Sequence, residues 1–308
     1  MTRLLDVQRI WDRASHNAFT GLVRHGDRWL CCFREATDHI SPDGILRVIT
    51  SDDGQSWESV AVLASSFGDC RDPKLCHAPD GRLMLNCGVW NPPNDAMISL
   101  AWFSADGADW GEPVQIGEPD SWLWRIAWHR GRAYCMAVRC LEKGPNRLYA
   151  SDDGVRFTTL VDKPFPRDYP NENTIVFADD DTAVCLLRHH DAAGPADAQV
   201  GVARPPYTEW AWRSLGVPIG GPHMIRLPDG RLLAAVRLWH PGGTWNDQHT
   251  ALCLLDLERP RLEEVLALPS HGDSSYAGMV LHEGLLWVSY YSSHEGRTSI
   301  YLARVALG

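Results

Sequence analysis

The stretch Pro79-Asp80-Gly81-Arg82-Leu83-Met84 reads as a tight turn opening into an apolar strand, and the chain carries it, in variant form, six times. The other copies are His25-Gly26-Asp27-Arg28-Trp29-Leu30, His129-Arg130-Gly131-Arg132-Ala133-Tyr134 and Asp179-Asp180-Asp181-Thr182-Ala183-Val184, then Pro228-Asp229-Gly230-Arg231-Leu232-Leu233 and His282-Glu283-Gly284-Leu285-Leu286-Trp287. The turn positions 26, 81, 131, 181, 230 and 284 are separated by 55, 50, 50, 49 and 54 residues. A Gly or Asp accepts the positive φ that a short hairpin requires, and the apolar segments on either side read as its two strands. Self-similarity at this period indicates a repeat architecture.

A second turn follows three of the hairpins: Ser51-Asp52-Asp53-Gly54-Gln55-Ser56-Trp57, Ser104-Ala105-Asp106-Gly107-Ala108-Asp109-Trp110 and Ser151-Asp152-Asp153-Gly154-Val155-Arg156-Phe157. In this S-x-D-G-x-x-aromatic pattern, Ser and Asp satisfy turn N–H groups, Gly supplies a positive φ, and the aromatic packs back on its own unit. Arg204-Pro205-Pro206-Tyr207-Thr208-Glu209-Trp210 is a degenerate fourth copy. Two hairpins per repeat make a four-stranded antiparallel sheet, which cannot cover both of its own faces, whereas a closed ring of six can. The expected fold is therefore all-β, a six-bladed β-propeller spanning residues 1–308 as a single domain. Leu4 to Ile10 is expected to complete the last blade and close the ring.

Composition agrees with this. The 14 Trp, 26 Gly and 20 Pro suit many short strands and tight turns. The nearest approach to a helix, Leu262 to Leu268, is only seven residues long. A net charge of −10 argues against nucleic acid or an anionic membrane as partner. The nine Cys fall mostly in apolar strand-like runs without a CxxC pair, so they read as reduced core residues. No apolar signal core follows Met1 and no 18-residue apolar run occurs, so a cytoplasmic protein is expected. No closed His/Cys metal spacing appears, and neither metal nor cofactor is expected.

The repeat also sorts residues by face. The two kinds of turn lie on one side of the ring, and ligand groups are expected on the other, near the axis. Nine residues before each hairpin turn stand Asn17, Asp72, Trp122, Glu172, Gly221 and Ser275, with His16, Arg71, Arg125, His223 and Tyr276 beside them. Seven or eight residues after it stand Arg34, Arg139, Arg188 and Arg237. Several Arg aimed at one funnel require anionic compensation, from neighbouring carboxylates or from a ligand.

These features resemble the sialidase (neuraminidase) superfamily of Asp-box, or BNR-repeat, propellers. Asn171-Glu172-Asn173-Thr174-Ile175 through Leu187-Arg188 is similar to that family's strand with a catalytic Glu and a carboxylate-binding Arg. Phe33-Arg34-Glu35 through Asp38-His39 to Ser51-Asp52-Asp53-Gly54 is similar to its first-blade loop with the acid/base Asp. Arg237 matches the fifth-blade Arg and Tyr276 the sixth-blade nucleophile. The resemblance implies an exo-acting glycoside hydrolase, with Tyr276 as nucleophile, Glu172 as its base and Asp38 as acid/base; Asp43 competes for the last role. A neutral phenol suits attack on a sugar bearing its own carboxylate, and its ordinary pKa near 10 demands the adjacent base. Arg34, Arg188 and Arg237 would bind a substrate carboxylate, with Arg71, Asp72, His39 and His16 as further substrate contacts; Asp72 is either a ligand for sugar hydroxyls or a loop-ordering group.

One departure stands out. Where the family opens its first blade with an Arg, this chain has Ser15-His16-Asn17-Ala18-Phe19. A sialic acid is thus one candidate beside other acidic saccharides and neutral glycosides. His16, His189, His190, His223 and His240 fall at or near the same face, which keeps open a lyase that uses His and Tyr on a uronate. A non-catalytic sugar-binding propeller is the third reading.

Overall fold

The structure is a computed structural model that describes residues 2–140, 144–167, 169–239 and 243–308. Six antiparallel sheets follow one another along the chain. The first blade runs from His16–His25 to Glu58–Leu63, the second from Asp69–His77 to Val114–Ile116, and the third from Ser121–Trp122 to Thr158–Asp162. The fourth runs from Pro170–Phe177 to Ala211–Ser214, and the fifth from Ile219–Arg226 to Arg261–Ala267. The sixth joins three C-terminal strands, Ser275–His282, Leu285–Ser292 and Ser299–Ala306, to the N-terminal strand Arg3–Trp11. That last pairing, Arg3 opposite Ala306 through Trp11 opposite Ile300, closes the ring as the N-terminal apolar stretch implied. The segment around Leu262 forms the outer strand Arg261–Ala267 rather than a helical turn. Among the described residues no helix is long and apolar enough to cross a membrane.

The core is divided as a propeller requires. Six apolar clusters lie between adjacent blades, for example Leu46, Val48 and Cys32 of the first with Leu75, Leu85 and Val89 of the second; the cluster between the sixth and first also takes in Trp124 of the third. Alternation along each strand therefore serves two clusters, one on each face. All nine cysteines are free.

The S-x-D-G turns close locally. Ser51 Oγ accepts from the Gly54 amide at 2.8 Å, and Asp53 Oδ1 accepts from the Gln55 and Ser56 amides at 2.8 Å each. The Ser104 and Ser151 turns repeat this. The aromatics fold back on their own turns, Trp57 Nε1 donating to the Gly54 carbonyl and Trp110 Nε1 to that of Gly107; Trp210 does the same to Tyr207 in the degenerate copy.

Candidate active site

On the opposite side, the first strand of most blades is interrupted near the axis. Register shifts fall between Ala18 and Gly21, Arg71 and Lys74, Pro170 and Asn173, Gly220 and His223, and Ser275 and Gly278. The third blade instead breaks its strand between Trp122 and Ala127. Within the bulges Phe19 (φ 63°), Asp72 (φ 52°), Gly221 (φ 54°) and Tyr276 (φ 50°) adopt left-handed backbone. A bulge re-aims a side chain, and strained backbone of this kind costs on the order of 1–3 kcal/mol per residue unless surroundings enforce it. Here it turns Phe19, Asp72, Glu172 and Tyr276 into one hollow of about 300 Å³, lined also by His39, Arg71, Trp122, Arg188, Arg237, Trp245 and Asp273.

Tyr276 and Glu172 form the centre of this hollow. The Tyr276 hydroxyl donates to Glu172 Oε1 at 2.6 Å, and Arg188 Nη1 reaches both, at 2.7 Å to the carboxylate and 3.1 Å to the phenol oxygen. The second carboxylate oxygen accepts from the Gly221 amide at 2.8 Å. Glycine is required there, because a Cβ at residue 221 would stand 2.5 Å from the Tyr276 ring. Burial alone would push the Glu172 carboxyl up, but the Arg188 charge and the donated hydrogen bonds outweigh it and hold the group below its ordinary value. Burial and the Glu172 charge together raise the Tyr276 phenol well above its ordinary value. The resting pair is thus a protonated Tyr facing an ionised Glu, with the Arg188 cation in contact with both.

Arg237 carries a different arrangement. Its Nη1 donates to Asp273 Oδ1 at 2.9 Å, and the Tyr291 hydroxyl donates to the same oxygen at 2.6 Å. His39 Nδ1 lies 2.6 Å from the other oxygen and His16 Nε2 at 3.9 Å. Burial opposes ionisation of Asp273, yet the two imidazoles and Arg237 hold its carboxyl far below the usual range. An internal carboxylate therefore occupies the guanidinium that would otherwise face a ligand's. His16, His39 and Asp273 also bring one ligand atom each within 4.8 Å, the geometry of a partial metal site. A cation there would have to displace the His39 hydrogen bond and sit beside Arg237.

Asp72 is 3% exposed, and its Oδ1 has no hydrogen-bonding partner among the described residues. Burial raises its carboxyl to about 6 against the opposing charges of Lys74 and Arg71. Asp38 stands elsewhere: its carboxylate caps the His39 amide at 2.6 Å in an exposed loop and does not line the hollow. Asp43 likewise accepts from the Thr37 hydroxyl and amide. Arg34 lies behind the site, wholly buried, donating to Asp69 at 2.8 Å and to the carbonyls of Asp38 and Ser41 at 2.9 Å each. Arg71 links Asp69 to the His39 carbonyl, both at 2.9 Å. Arg34 and Arg71 thus fasten the loop that delivers His39. Gly44 allows it, since a Cβ there would stand 1.8 Å from Asp69 Oδ1.

Tyr276, Glu172, Arg188, Arg237, Asp72, Arg71 and His39 are therefore brought together, His16 packs just behind, and Arg34 and Asp38 are not at the surface of the hollow. Of the other histidines, His190 accepts from Arg188 Nε at 3.0 Å and is lowered to about 4 by burial and that Arg charge. His189 is buried against Phe165 and His223 lies in the axial channel; His240 falls outside the described residues. Sequence reasoning missed Asp273, Trp245 and Phe19. For Asp273 a signal existed, an acid three residues before Tyr276. A second hollow of about 530 Å³ adjoins the first, sharing Trp122 and Glu172 and lined further by Tyr169, Arg139 and His190.

No family model matches the chain, and no curated protein sequence does. Solved structures do. A Dyadobacter fermentans protein of unknown function aligns at a TM-score of 0.86 with 19% identity, covering 100% of this chain and 99% of that one. The Fusarium graminearum α-L-arabinofuranosidase solved with an iminosugar inhibitor aligns at 0.77 with 11% identity, covering 99% and 98%. Trypanosoma rangeli sialidase aligns at 0.71 with 13% identity over 94% of this chain and 55% of its own. At these identities the likeness establishes the six-bladed fold, which several glycoside hydrolases share.

Proposed function

We propose that the protein is an exo-acting glycoside hydrolase in which Tyr276 is the nucleophile, Glu172 its base and Asp72 the acid/base. The observation that carries this is the 2.6 Å hydrogen bond from Tyr276 to Glu172 with Arg188 on both partners. As Tyr276 Oη bonds to the anomeric carbon, its proton passes to Glu172, and Asp72 delivers a proton to the departing glycosidic oxygen. Water then attacks the same carbon with Asp72 as base, Tyr276 leaves and recovers its proton from Glu172. Two displacements retain the anomeric configuration. Asp72 replaces Asp38 in this scheme because it lines the hollow, has an unpartnered oxygen and stays protonated to about pH 6. The neighbouring glycosidases supply the reaction class by analogy of fold.

The sugar unit we favour is uncharged. Arg237 is already neutralised by Asp273, and Arg188 by Glu172, so an acidic sugar would have to displace an internal carboxylate. The 300 Å³ hollow takes one glycosyl unit, with the adjoining groove for the leaving group. The lyase reading is weakened because Tyr276 is paired with Glu172 rather than with a histidine. The free thiols fit a reducing, cytoplasmic setting. Incubation with a panel of neutral and acidic glycosides, read by mass spectrometry, tests the proposal. Products carrying the mass of added water support it. Products that sum to the substrate mass identify a lyase, and intact ligand with calorimetric binding identifies a lectin-like propeller.

A further inference from the structure

Below the floor of the hollow, the axial channel contains a second cavity of about 130 Å³. Three basic side chains line it, Lys74, Arg125 and His223, from the second, third and fifth blades; no carboxylate does. The remaining lining is Asn86, Thr174 and apolar or thiol-bearing residues such as Ile126, Ile175 and Cys76.

Arg125 is the unusual member. It is 8% exposed, and the one hydrogen bond it makes among the described residues is from Nη2 to the Ala277 carbonyl at 3.2 Å. Among the described residues its Nε is buried without a partner, and so is His223 Nδ1. Every other arginine buried at the axial end, Arg34, Arg71 and Arg237, is paired with a carboxylate within 3 Å. Lys74 feels the charges of Asp72 and Glu172 above it, but the groups acting on Arg125 are the thiols of Cys32 and Cys76, which burial keeps protonated by raising both to about 12. A guanidinium removed from water without a counter-charge is strongly disfavoured. The fold therefore leaves one positive charge uncompensated beside a space of suitable size.

We propose that this cavity is a binding site for a small monovalent inorganic anion of the halide class, held by Arg125 with Lys74 and His223 as further donors. One uncompensated charge calls for one monovalent anion. At about 30 Å³ per water the space holds the ion and a few waters, and the Asn86 carbonyl oxygen, which has no partner, accepts from one of those. Lys74, which lines the site, holds its ammonium 4.7 Å from the centre of the Trp124 ring. The site is independent of the glycosidase reading.

Two measurements test it. Crystals grown in sodium bromide should show an anomalous peak within hydrogen-bonding distance of the Arg125 guanidinium. In solution, the melting temperature of the wild type should rise with chloride when chloride replaces gluconate at constant ionic strength, and rise logarithmically once the site is half filled. Arg125→Leu should abolish that dependence; should this variant fail to fold, Lys74→Met and the wild-type bromide map carry the test. Phosphate or sulfate producing the larger shift would overturn the halide assignment. Equal melting temperatures in both salts, with only water at Arg125, would overturn the site altogether.

Discussion

The two faces of this propeller are built by opposite rules. On the turn face, the loops beginning at Ser51, Ser104 and Ser151 are near copies, and each satisfies its own backbone with its own Ser and Asp. On the axial face, no two blades present the same residue at the bulge, and partners come from different blades. Glu172 of the fourth blade meets Tyr276 of the sixth and the Gly221 amide of the fifth. Asp273 of the sixth gathers His39 of the first and Arg237 of the fifth. Repetition survives where interactions are local. The candidate site lies where they are not.

That contrast can be broken or sharpened by substitution. On the axial face, Tyr276→Phe should lower kcat on the order of 10³-fold or more with KM little changed, as removal of a nucleophile does; a loss expressed only in KM would reduce Tyr276 to a binding group. Asp72→Asn should cost roughly 10²–10³-fold for poor leaving groups and much less for activated aryl glycosides, because only the former need the proton. In the wild type the burial-raised Asp72 is protonated below about pH 6, so kcat/KM should fall as pH rises through that value. The Asn variant should lose this descending limb. Asp273→Ala should leave Arg237 unpaired and create or strengthen inhibition by small carboxylates such as acetate; unchanged inhibition would mean that the carboxylate does not guard Arg237.

Effects on the turn face should be of another kind. Asp153→Ala removes an acceptor of the Val155 and Arg156 amides and the Ser151 hydroxyl, and should lower stability by about 1 kcal/mol with kcat/KM unaffected. Asp38→Asn should alter turnover by less than about 3-fold, since its carboxylate caps a loop amide outside the hollow. A loss there as large as that at Asp72 would return the acid/base role to the first-blade loop.

The same contrast explains what could be read from the amino-acid sequence. The blades, their order and the closing N-terminal strand were legible, because hairpin signals and strand alternation are written within a few residues of one another. Register also grouped Glu172, Arg188, Arg237 and Tyr276 on the face where they line one hollow. The bulges were not legible: nothing in Arg71-Asp72-Pro73-Lys74 announces that Asp72 turns inward through left-handed backbone. Nor did Arg34 announce that its guanidinium is consumed by Asp69 and two loop carbonyls. Both are tertiary facts, set by strands more than thirty residues away in the chain or by a break in pairing. Asp273, whose partners are His39 and Arg237, was hidden for the same reason.

The central claim, that Tyr276 attacks while Glu172 takes its proton, is tested most directly by trapping the intermediate. A fluorinated glycoside with an activated leaving group, chosen from whichever sugar the wild type cleaves, slows breakdown of the covalent adduct. Digestion and mass spectrometry of the quenched enzyme should then place one glycosyl group on the peptide containing Tyr276 and none on the Tyr276→Phe variant. A glycosyl group on the peptide containing Glu172, or steady turnover with no adduct on either, would contradict the account.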